Sequence, residues 1–187
     1  MLKSEIRKAL KEKRKTLSFE EKNSYSQKIT QAIVENFNLD SKVISVFLPI
    51  EKLNEVNTAF LIEYLKKANA IISSPVSDFK NLELKHVLHD DKTLFEINEW
   101  GIPEPVNGNE IKPEEFDYVF VPLLAINKTG YRVGYGKGFY DRFLSRCGEN
   151  TVFIGLNYFD DLLHIEDINE DDVPVHFVVT PNKIIEF

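Results

Sequence analysis

The stretch richest in chemistry is Gly134-Tyr135-Gly136-Lys137-Gly138-Phe139-Tyr140-Asp141-Arg142. Glycines at alternate positions let backbone N–H groups approach a ligand closely and take positive φ. The apolar run Tyr118 to Ile126 precedes them, followed by the turn Asn127 to Gly130 and by Arg132; a helical pattern from Phe139 to Arg146 comes after. A helix N-terminus adds unpaired donors and partial positive charge, which together favour a phosphate group. Lys137 and Arg132 supply further positive charge. Asp141, one turn into the helix, has the chemistry to hold a magnesium ion that bridges phosphate oxygens. The spacing is neither GxxxxGK[ST] nor GxGxxG. Spacing alone leaves a purely structural turn open, and the four neighbouring charges Arg132, Lys137, Asp141 and Arg142 favour an anion site.

The elements that must position this stretch follow from hydrophobic periodicity. Leu2, Ile6, Ala9, Leu10 and Lys13 recur at helical spacing and predict a helix over 2–16. Ser18 with Glu21 forms a capping box that starts a second helix, with Tyr25, Ile29, Ile33 and Phe37 inward. A third helix runs from Thr58 to about Lys67. Strands are expected at Val43–Leu48, Ala70–Ser73, Leu82–Leu88, Tyr118–Ile126, Thr151–Leu156 and Phe177–Thr180. Trp100-Gly101-Ile102-Pro103-Glu104-Pro105 reads as loop, because two prolines and a glycine interrupt any ladder. Alternating strands and helices predict an α/β fold, three-layer α/β/α with a mostly parallel, Rossmann-like sheet, in one domain over 1–187. In such sheets ligands sit beyond the carboxyl ends of the strands, where the glycine stretch falls.

Composition narrows the function. The net charge of −7 disfavours a general nucleic-acid binder. No apolar run approaches a membrane span, no apolar signal core opens the chain, and a single cysteine suits a reducing cytoplasm. Basic residues crowd positions 1–17 and acidic ones 157–172, mostly as solvated faces. His86 and His89 point to opposite faces of a strand, which is poor metal geometry, and Cys147 reads as packed.

The segment VPLLAINKTGYRVGYGKGFYDRFL resembles the signature of the 5-formyltetrahydrofolate cyclo-ligase family, also called 5,10-methenyltetrahydrofolate synthetase. Lys3-x-x-x-Arg7, LSFEE, Glu55-Val56-Asn57-Thr58, Trp100 to Pro105 and Asp172-Val173-Pro174-Val175 agree with it in order along nearly the whole chain. The resemblance implies a three-layer α/β/α fold and an ATP- and magnesium-dependent ring closure of 5-formyltetrahydrofolate. It implies that Lys3 and Arg7 grip ATP phosphates, and that Arg132, Val133, Gly134, Tyr135, Gly136, Lys137, Gly138, Phe139 and Tyr140 wrap the triphosphate. Lys137 and Arg132 would be catalytic, and Asp141 and Asp172 would hold magnesium. Glu55 would meet the pterin's amino and ring N–H groups, and Trp100, Tyr135 and Phe139 would line the folate cleft. Partners are the two small molecules, with no nucleic acid or membrane, and the chain is expected as a monomer or weak dimer.

Three departures stand out. Ile126-Asn127 replaces a frequent Phe-Asp, Tyr135 replaces an Arg of some relatives, and the Phe47–Glu55 stretch is about two residues longer than in some. Two rivals share these residues: a sugar-phosphate isomerase-like enzyme that needs no ATP, and a non-catalytic folate or nucleotide binder that regulates a partner.

Overall fold

A computed structural model describes residues 1–187. Its helices are α1 (Lys3–Lys15), α2 (Phe19–Asn36), α3 (Ala59–Lys67) and α4 (Phe139–Leu144). Its strands are β1 (Val43–Ser45), β2 (Ile71–Asp78), β3 (Glu83–Leu88), β4 (Phe95–Ile97), β5 (Pro103–Pro105), β6 (Glu110–Ile111), β7 (Tyr118–Pro122), β8 (Ala125–Ile126), β9 (Arg132–Val133), β10 (Val152–Leu156), β11 (Phe177–Val179) and β12 (Ile184–Glu186).

Eight strands form one sheet in the order β12-β11-β10-β7-β1-β2-β3-β6. The five central strands are parallel, and the outer pairings β11–β12, β2–β3 and β3–β6 are antiparallel. The α/β expectation therefore holds. Alternation along each strand splits the core between two faces. Phe120, Ile154, Leu156 and Val179 pack with Ile29 and Ile33 of α2 and Leu61 and Leu65 of α3. Val119, Val121, Phe153 and Val178 point the other way, onto Phe143 and Leu144 of α4. The second face is covered by one six-residue helix and loops. The Ser18–Glu21 capping box forms as read, with Glu21 N–H donating to Ser18 Oγ at 3.1 Å and Ser18 N–H to Glu21 Oε2 at 2.7 Å.

Several strand boundaries differ from the sequence reading, and the Ala70–Ser73 run continues through Pro75 to Asp78. The Val43–Leu48 run is strand only to Ser45. The Tyr118–Ile126 run divides at Pro122, which has no N–H to extend the ladder; Ala125–Ile126 instead turns back on Arg132–Val133 as a two-stranded ribbon. Pro103–Pro105, expected as loop, is a strand paired with Phe95–Ile97. In a two-stranded antiparallel ribbon only alternate residues need their N–H inward, so the two prolines flanking Glu104 are tolerated.

His86 of β3 lies under α4, its ring 3.9 Å from that of Phe143, 1% exposed and with no partner for either ring nitrogen. Burial lowers its pKa to about 3. The native state therefore keeps it neutral while the unfolded chain protonates it below the ordinary value of 6.5. Stability present above pH 6.5 is lost as pH falls through the window from 6.5 toward 3. Each pH unit inside that window costs about 1.4 kcal/mol. Urea unfolding at pH 7 and pH 5.5 should show this loss, and His86→Leu should remove close to one proton of the pH slope. An unchanged slope would show that His86 does not carry it.

Candidate active site

The glycine stretch is strung between two arginines. Arg7 of α1 donates Nε–H to the Gly134 carbonyl at 2.8 Å, and Arg142 of α4 donates to the Lys137 carbonyl at 2.6 Å. Arg142 also reaches the Leu82 carbonyl at 2.6 Å, tying the loop to the β2–β3 turn. The backbone N–H groups of residues 134–138 donate to no protein acceptor. A loop with its carbonyls tied back and a run of free N–H groups is an anion cradle, the backbone nest of phosphate sites. Glycine is required at two points. Gly136 has φ +92°, and a Cβ there would lie 3.0 Å from Arg7 Cζ; Gly138, at φ +68°, is the left-handed cap that starts α4. Lys137 is exposed at the rim with no side-chain partner. Val133 is fully buried against Ile6 and Leu10 of α1, so its side chain anchors the loop.

Beside the cradle four charges interlock. Arg132, 7% exposed, donates to Asp141 Oδ1 at 2.7 Å and to the Val173 carbonyl. Val173 N–H adds a second donor to the same oxygen at 3.1 Å. Lys3 Nζ pairs with Asp172 Oδ2, which also accepts Asn169 N–H at 2.9 Å. Arg132 is thus the charged partner of Asp141. Asp141 Oδ2 and Asp172 Oδ1 accept no hydrogen bond, so each carboxylate keeps one oxygen. Magnesium ordinarily takes one or two carboxylates and completes its shell with phosphate oxygens and water, and this pair of single oxygens fits that habit.

The third part of the site follows β1 and β2. Glu55 is 6% exposed and accepts Ile50 N–H at 2.7 Å. Its own carbonyl accepts the Tyr158 hydroxyl at 2.8 Å. Burial raises its pKa, opposed by the Ile50 amide, the Tyr135 hydroxyl and the Arg14 charge. Tyr135 accepts Arg14 Nη1–H at 3.0 Å, and burial with the nearby Glu55 charge pushes its phenol well up. Tyr140 has its hydroxyl buried without a partner. Trp100 stacks on Phe79 with centroids 5.0 Å apart, and Phe79 meets Phe139 edge-on at 5.3 Å. Trp100 rides the turn of the β4–β5 ribbon, where Lys52 Nζ lies 3.2 Å from the position a Cβ on Gly101 would take.

All the residues named from the sequence thus gather at one end of the sheet. Two neighbours were missed. Phe79 gives no periodic signal; it follows the last residue of β2. Arg14 does give one, since it continues the buried Ile6–Leu10 stripe at i+4, a position where a charge is anomalous. Outside the site, Cys147 has its thiol pushed up to about 12 by burial, which leaves no reactive thiolate at neutral pH.

A mostly parallel sheet whose carboxyl ends carry a nest of free amides, paired basic and acidic groups and a stacked aromatic group defines a class: an α/β protein with an anion cradle beside an aromatic surface. Comparison with known proteins gives the particular family. The 5-formyltetrahydrofolate cyclo-ligase family profile matches residues 1–181. A 5-formyltetrahydrofolate cyclo-ligase of Mycoplasma genitalium is 34% identical over 83% of this chain and 84% of its own. One from Mus musculus is 32% identical over 76% and 73%. The 5,10-methenyltetrahydrofolate synthetase structure of Aquifex aeolicus superposes with TM-score 0.82 at 30% identity, covering 100% of this chain and 93% of that one. That of Mycoplasma pneumoniae gives 0.76 at 27%, covering 97% and 100%. The chain belongs to the 5-formyltetrahydrofolate cyclo-ligase family and is an enzyme of the ligase class.

Proposed function

We propose that the protein closes 5-formyltetrahydrofolate to 5,10-methenyltetrahydrofolate at the expense of ATP, releasing ADP and phosphate. The observation that carries this reading is the row of free amides from Gly134 to Gly138, with Arg7 and Lys137 beside it and with the Trp100–Phe79–Phe139 aromatic group and the buried Glu55 nearby. The curated relatives and solved structures named above support it.

A formyl oxygen on nitrogen is a poor leaving group. Transfer of the γ-phosphoryl of ATP to that oxygen, with ADP departing, makes it a good one. N10 then bonds to the formyl carbon and loses its proton, the C–O bond breaks, and phosphate leaves. The chain's share is positioning and charge neutralisation. The amides of residues 134–138 hold the phosphate chain, and Lys137 sits over the group in transfer. Lys3 and Arg7, four apart on α1, add charge from one helical face. Arg132 acts mainly through Asp141, which it fixes in place. Asp141 and Asp172 would hold magnesium, which when bound neutralises phosphate oxygens. Glu55 accepts from the pterin N–H groups, and Trp100 with Phe139 offers the ring an apolar wall. The enzyme works in the cytoplasm on small molecules, as a monomer or weak dimer; no helix of the structure is long and apolar enough to cross a membrane.

The test is turnover. Protein, magnesium, ATP and 5-formyltetrahydrofolate are mixed and the methenyl product is followed by near-ultraviolet absorbance. Product that forms only with ATP is expected. Binding of both ligands without product would instead support a regulatory binder.

A further inference from the structure

Arg14 is a costly residue for the place it occupies. It sits on the buried stripe of α1, 1% exposed, where an aliphatic residue would pack without desolvating a charge. It forms no direct ion pair. Nη2 donates to the Leu123 carbonyl, Nη1 donates to the Tyr135 hydroxyl at 3.0 Å, and Nε has no partner. Its guanidinium also lies 5.7 Å from the centre of the Tyr158 ring. A hydroxyl that accepts from Arg14 keeps its own proton to donate, and the carboxylate beside it is Glu55. Tyr158, whose hydroxyl holds the Glu55 carbonyl at 2.8 Å, closes the group from the other side. The result is a buried relay: a fixed cation holds a phenol, and the phenol lies beside the Glu55 carboxylate.

We infer that Arg14 is a positioning residue for the folate ring: by holding the Tyr135 hydroxyl it fixes the surroundings of the Glu55 carboxylate and keeps that carboxylate oriented toward the ring N–H donors. This rests on the reading of Glu55 as the pterin contact. It also gives Tyr135 a side-chain role separate from the backbone amide that it contributes to the anion cradle. Without the relay, burial alone favours the protonated carboxyl, which presents a hydroxyl where an acceptor is needed.

The experiment compares Arg14→Met, Tyr135→Phe, the double variant and Glu55→Gln in the full-length enzyme. It measures kcat, KM for each substrate, the pH dependence of kcat/KM for the folate, and melting temperature. Arg14→Met and Tyr135→Phe should each raise KM for 5-formyltetrahydrofolate by about tenfold while leaving KM for ATP within about twofold. The acid limb of the folate kcat/KM profile should move toward neutral pH in both. The double variant should match the worse single one, because the two act in series. Tyr135→Phe preserves the ring and keeps the test valid if Arg14→Met does not fold. If Glu55→Gln raises the folate KM but both relay variants match wild type in KM and pH profile, the inference is overturned and the Glu55 contact stands. If Glu55→Gln itself leaves the folate KM unchanged, the Glu55 contact falls and takes the relay with it.

Discussion

Lys137→Ala should lose turnover by a factor of about 10²–10³, the usual cost of removing one preorganised charge from a transition state. Its melting temperature should stay where it was. The side chain is exposed and bonds to nothing, so its removal leaves no cavity and no orphaned partner. The five free amides remain, and the KM for ATP should rise less than kcat falls. Lys137→Arg should recover part of the rate, because charge is restored with different reach. The assay is steady-state kinetics beside a thermal melt. Normal turnover, or a large fall in stability with normal turnover, would remove Lys137 from the chemistry.

Asp141→Ala should do the opposite to the fold. Arg132 is 7% exposed, and Asp141 is its only carboxylate partner. Truncating one member of a buried pair strands the other charge, at a cost of about 3 kcal/mol or more. The variant should therefore unfold at clearly lower urea and also lose activity. Asp141→Leu combined with Arg132→Met should regain much of the stability, since an apolar pair carries no desolvation cost, yet stay inactive. That separation assigns the stability to the ion pair and the activity to the oxygen of Asp141 that the pair leaves free. A stable Asp141→Ala would mean that Arg132 finds another counter-charge, with Asp172 the nearest candidate.

Much of this architecture can be read from residue patterns. The helices are the clearest, because capping and periodicity agree: Ser18 and Glu21 meet as their spacing requires, and Ile29 and Ile33 are buried as their stripe predicts. Strand limits are less legible. The apolar run through Ile126 carries Pro122 near its end, but gives no hint that the next residues double back on Arg132. The glycine loop announces its chemistry through residue type alone. Its partners do not, since the bonds from Arg7 to Gly134 and from Arg14 to Tyr135 each span more than a hundred residues. Asp141 shows the limit well. Its neighbours in sequence, Arg142 above all, are plausible partners, and the fold chooses Arg132 because the β8–β9 ribbon folds it under α4.

The stack of Trp100 on Phe79 has a practical corollary. The chain contains one tryptophan and it is Trp100, about half exposed on the ribbon turn and stacked on Phe79. All indole emission from this protein therefore originates at the turn of the β4–β5 ribbon, beside the proposed folate site. The unmodified enzyme carries its own optical probe, placed where the proposed binding of a folate ring would change the polarity around the indole.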